Sequence, residues 1–73
     1  MGRLVFRGLT EETVLAEWSP ADDASFARAE AVFAHQLELG HSAVKVVGAT
    51  NEPVTELPID AELVMVTTAM GGG

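Results

Sequence analysis

The stretch Glu62-Leu63-Val64-Met65-Val66-Thr67-Thr68-Ala69-Met70-Gly71-Gly72-Gly73 decides how this chain reads. Leu63 to Val66 are apolar without a break, and Thr67 and Thr68 continue a β-prone run. A strand that is apolar at every position is one expected to be buried on both faces, in the interior of a sheet. The glycines after it have no side chains to bury and the most backbone freedom to lose on ordering. The expectation is a single domain over residues 1–70, a central last strand, and a flexible glycine tail over 71–73.

Outward from that strand, the other elements come from period and punctuation. Arg3-Leu4-Val5-Phe6-Arg7 alternates, with Leu4 and Phe6 on one face and Arg3, Val5 and Arg7 on the other. Gly8 to Glu12 reads as a turn, and Thr13 to Trp18 alternates again, placing Val14, Ala16 and Trp18 opposite Thr13, Leu15 and Glu17. The two runs form a hairpin. A helix is expected over Pro20–Leu39, with Ser19 as N-cap and Pro20 at the first helical position. Its stripe is Phe26, Ala29, Val32, Phe33 and Leu37, and Gly40 stops it. Ala43 to Val47 is a third strand, 48–53 reads as a loop, and Val54 to Leu57 reads as a short edge strand flanked by Pro53 and Pro58. The order is strand, strand, helix, strand, short strand, strand: an α+β roll with one helix across a mixed sheet and the first and last strands in its middle.

Composition narrows the functions. The 73 residues suffice for one small core. There is no cysteine, so disulfides, zinc-thiolate sites and thiol catalysis are excluded, which suits a reducing cytoplasm. No apolar run reaches the ~20 residues of a membrane span, and the N-terminus lacks a signal-peptide pattern. Eleven acidic residues face four basic ones, for a formal charge of −7. Phosphate backbones and anionic lipids repel such a chain, so neither nucleic acid nor a membrane is an expected partner.

The element order is that of the β-grasp, ββαββ(β), and the segment from Asp60 to Gly73 resembles the ends of ubiquitin-like sulfur carriers, such as the small subunit of molybdopterin synthase and the thiamine-pathway carrier. Members of that family turn at an acidic residue, run an apolar last strand and end on Gly-Gly. The resemblance implies a reactive C-terminus at Gly72 and Gly73. In that family a partner activating enzyme adenylates the carboxylate with ATP, after which it becomes a thiocarboxylate or joins the amine of an acceptor protein. It also implies that the chain is a carrier or modifier rather than an enzyme, and that it binds no cofactor of its own. The sequence departs from the pattern in having Gly71 as a third glycine and Thr67-Thr68 in place of the common prolines.

Other chemistry finds little support. His35 and His41 are six apart with Gly40 between them, a spacing that aligns on neither a helix nor a strand. The pairs Glu11-Glu12 and Asp22-Asp23 fit solvated ends of elements, and no glycine-rich loop joins a strand to a helix in the manner of a nucleotide site. Parity places Arg3, Val5, Arg7 and Lys45 on the outer sheet face as candidate partner contacts. Met70 belongs with them, and Trp18 either closes the core or anchors a partner. Two rival readings remain: a binding or structural module, of accessory or phage-subunit type, and an acidic inhibitor that mimics nucleic acid.

Overall fold

A computed structural model of the chain describes residues 1–8 and 10–68. Five strands and one helix follow one another as β1 (Gly2–Arg7), β2 (Glu12–Trp18), α1 (Asp23–Glu38), β3 (Ser42–Val47), β4 (Thr50–Pro53) and β5 (Leu63–Thr67). The strands make one mixed sheet in the order β2-β1-β5-β3-β4. β5 occupies the middle, parallel to β1 and antiparallel to β3. The fold is thus α+β, one helix against a five-stranded mixed sheet, compatible with a β-grasp-like arrangement.

The helix lies where its apolar stripe requires. Ala29 and Phe33 are buried, and Phe26, Val32 and Leu37 pack against the same cluster as Leu4, Trp18, Val64 and Val66. Its start is three residues later than expected, because Asp22 and not Ser19 is the N-cap. The Asp22 carboxylate accepts from the amides of Ala24 and Ser25 at 3.1 and 3.2 Å, satisfying two of the four donors that a helix start leaves unpaired. Ser19 instead closes the turn before the helix, its carbonyl accepting from the Asp22 amide at 2.9 Å. Pro20 therefore precedes the helix rather than opening it. At the other end Gly40, at φ +88, allows a Schellman close: the Gly40 amide donates to Leu37 and the His41 amide to Gln36.

Two strand assignments differ from the sequence reading. Residues 50–53 form β4, an edge strand paired with β3, while 54–57 are not a strand. Gly48 is the reason. Val47 opposes Thr50, leaving a two-residue loop whose first position, Gly48, takes the positive φ of +58 that tight hairpins require. The next segment crosses the helix side of the sheet and buries Leu57 and Ala61 in the core.

The second difference is a β-bulge. The β1–β2 register shifts between Leu4 and Val5: Leu4 opposes Ala16, whereas Val5 opposes Val14, so Leu15 is the extra residue. Side chains of β2 change face across it. Val14 joins the side of the sheet away from Ala16 and Trp18, contrary to strict alternation through the strand.

Candidate functional site

The residues singled out by sequence end up in three different environments. Trp18 is in the core at 1% exposure, its ring edge-on to Phe26 at 6.0 Å and its indole N–H donating to the Ile59 carbonyl at 3.0 Å. Of its two expected roles it takes the first and closes the core, so it offers a partner no exposed anchor. Gly2 lies directly beneath it: a Cβ there would stand 2.0 Å from the indole. The indole polar atom is thus satisfied, and its position is fixed from both sides.

Lys45 is on the wrong face for the expected patch. It opposes Val64 on β5 and Glu52 on β4, and Val64 points into the core, so Lys45 shares the helix side of the sheet. Its Nζ is 4.0 Å from Asp60 Oδ1. Lys45, Asp60 and Glu62 line a shallow cavity of about 280 Å³. The reason is parity within β3, where Ala43 and Lys45 alternate with the outward Val44 and Val46. Met70, Gly72 and Gly73 lie outside the described residues.

Arg3, Val5 and Arg7 do share the outer face, and the register shows what surrounds them. Val14, Val5, Met65, Val44 and Pro53 are successive cross-strand partners, so one apolar row crosses all five strands. Leu63 and Val46 extend the apolar surface on the same side. At the β1–β2 end, Arg3 pairs with Glu17 through Nε and Oε2 at 3.2 Å, and Arg7 stands opposite Glu12. The helix and the 54–61 segment occupy the other side of the sheet. This face therefore combines an apolar row across the strands with charged pairs at its β1–β2 end.

Val5 is only 5% exposed although nothing of the core cluster lies above it. Its cross-strand neighbours in the row are Val14 and Met65. Val14 itself is half exposed. Sequence reasoning names three residues of this surface and misses Val14, Val44, Leu63 and Met65. The signal is present in β3 and β5, which are apolar at both parities, but Val14 is hidden by the bulge.

Compared with protein-family models, with curated proteins and with solved structures, the chain matches none. Its geometry is thus the sole guide to its chemistry. The described residues hold no group of three or more His, Asp or Glu side chains fit to bind a metal. His41 instead hydrogen-bonds Gln36, Nδ1 to Oε1 at 2.8 Å, and its ring lies 5.3 Å from that of Phe6. No described helix is long and apolar enough to cross a membrane.

Proposed function

We propose that this is a β-grasp protein of the ubiquitin-like kind, whose Gly72-Gly73 terminus is activated by a partner enzyme for sulfur carriage or for attachment to an acceptor. The supporting observation is the position of β5. It is the middle strand, held by β1 on one side and β3 on the other, and the chain runs from it through two residues and Met70 into Gly71-Gly72-Gly73. A strand fixed on both edges is a rigid base for a terminal segment, and a glycine run is narrow enough to enter another protein's active site. In the proposed reaction the Gly73 carboxylate attacks the α-phosphorus of ATP on the partner enzyme, pyrophosphate leaves, and an acyl adenylate forms. The chain itself supplies the acceptor carboxylate and the docking surface; the partner supplies the chemistry.

Incubation with ATP and a candidate activating enzyme, read by intact mass, tests this. The expected product is an adenylate, or a sulfur-for-oxygen exchange at Gly73 when a sulfur donor is present. Removal of Gly72 and Gly73 should abolish it. If the truncated protein retains full biological activity, the carrier reading fails. The apolar row across the outer face favours a second reading, a module that acts only by binding. That reading predicts activity without the terminal glycines.

A further inference from the structure

A groove of about 590 Å³ runs between α1 and residues 55–57, on the far side of the molecule from the outer sheet face. That volume holds several side chains at once. Its apolar lining includes Ala27, Ala31, Ala34, Leu37 and Leu57, and each wall carries one carboxylate, Glu30 from the helix and Glu56 from the facing segment. The three alanines are exposed and follow one another at steps of four and three, so they lie on one face of the helix. With nothing longer than a methyl group there, the helix leaves the groove unfilled.

The acidity continues along that face. Asp23, Glu30 and Glu38 are exposed and stand at steps of seven and eight, which keeps them beside the alanines and roughly 10–12 Å apart along the axis. Neither Glu30 nor Glu56 enters an ion pair among the described residues, and no basic side chain lines the groove. Charge then decides what fits. A second copy brings the same formal charge of −7, nucleic acid and anionic lipid bring phosphates, and the chain's own terminus brings a carboxylate. The two walls repel each of these and attract a cation. The apolar lining requires that the cationic segment also carry apolar side chains.

We infer that this groove docks a basic amphipathic helix of a partner protein. Its Lys or Arg side chains, spaced roughly seven residues apart, meet Asp23, Glu30 and Glu38, and its apolar side chains rest on Ala27, Ala31 and Ala34. A helix suits the site because an alanine face lets two helices approach to about 8 Å, the short end of the usual range. Glu56 faces the same cations from the opposite wall. The inference does not rest on the tail chemistry, because no terminal residue takes part. Attraction by the whole acidic body also speeds the encounter, an effect that salt removes.

Amide chemical-shift titration of the full chain tests the inference, at about 20 mM and about 300 mM NaCl. The probe is a synthetic helix-forming peptide of about 16 residues, with lysine at every seventh position and leucine and alanine on the same face. The expected shifts centre on residues 27–37 and 55–57 and saturate below about 1 mM peptide. Binding should weaken several-fold at the higher salt, and at least ten-fold when the peptide's leucines are replaced by glutamine. Ala31→Arg, at an exposed helical position that tolerates arginine, fills the groove and adds a like charge, so it should weaken binding at least ten-fold. Glu30→Gln combined with Glu56→Gln should weaken it several-fold. Val14→Thr on the outer face, and removal of Gly72 and Gly73, should leave it unchanged. Absence of binding overturns the inference. So do shifts centred on the outer face, equal binding of the leucine-free peptide, or an affinity indifferent to Ala31→Arg.

Discussion

The two faces of the sheet are made from alternate residues of the same strands, yet they have opposite fates. In β5, Val64 and Val66 are fully buried beneath the helix side, while Leu63 and Met65, equally apolar, stay partly exposed on the other. In β1, Leu4 is fully buried and Arg3 and Arg7 are exposed around a shielded Val5. Apolarity sets what a residue gains from burial, but only a covering layer decides whether it is buried. The helix face has such a layer; the outer face has an apolar centre and no layer among the described elements. One face holds the fold together, and the other carries its apolar row without a covering element among those described.

Substitutions at the indole test the helix side most severely. Trp18→Ala should lower stability by about 3–5 kcal/mol, since it removes the largest buried side chain and leaves a cavity and an unsatisfied Ile59 carbonyl. Urea denaturation checks it, and a loss under about 1 kcal/mol would mean that Trp18 does not close the core. Gly2→Ala approaches the same ring from the strand side. Its methyl has to displace the indole, at a cost of about 1–3 kcal/mol, and a near-neutral result would show the tryptophan to be loosely held.

Neighbouring residues of one strand sharpen the contrast between the faces. Val64→Ala should cost about 1.5–3 kcal/mol, whereas Met65→Ala, on the open face, should cost under about 1.5 kcal/mol despite removing a longer side chain. Thermal melts of the two variants at low concentration give the ordering, and a reversal would break the assignment of faces. A smaller effect separates the rival caps. Asp22→Ala should cost about 1 kcal/mol, and Ser19→Ala less than about 0.5 kcal/mol, when both are followed by circular dichroism in denaturant. Smallest of all, Arg3→Ala should change stability by about 0.5 kcal/mol or less, because its pairing with Glu17 is solvent-exposed.

Much of the helix side is legible in the sequence. The stripe Phe26, Ala29, Val32, Phe33 and Leu37 has the helical period and no competing reading, and Leu4 and Phe6 alternate with arginines. The helix start is ambiguous because Ser19 and Asp22 are both good caps, and the fold selects the one whose carboxylate reaches two amides. β4 escapes a sequence reading because Thr50-Asn51-Glu52-Pro53 has the composition of a loop; its strand character comes from pairing with β3 through the Gly48 turn. The outer face is only partly legible. Lys45 reads as outward because parity within a strand does not say which parity faces the helix.

The sequence by itself determined the first two strands, the helix stripe, the apolar last strand and the acidic balance, because these depend on period, on local backbone preference and on counting. Only the tertiary structure decided that Leu15 bulges, that Val14 crosses to the outer face, and that Lys45 lies on the face opposite Arg3 and Arg7. Those are questions of register between strands far apart in the chain, and a one-residue shift in pairing reverses every side chain beyond it. The same register lines up Val14, Val5, Met65, Val44 and Pro53 from five separate strands into one row.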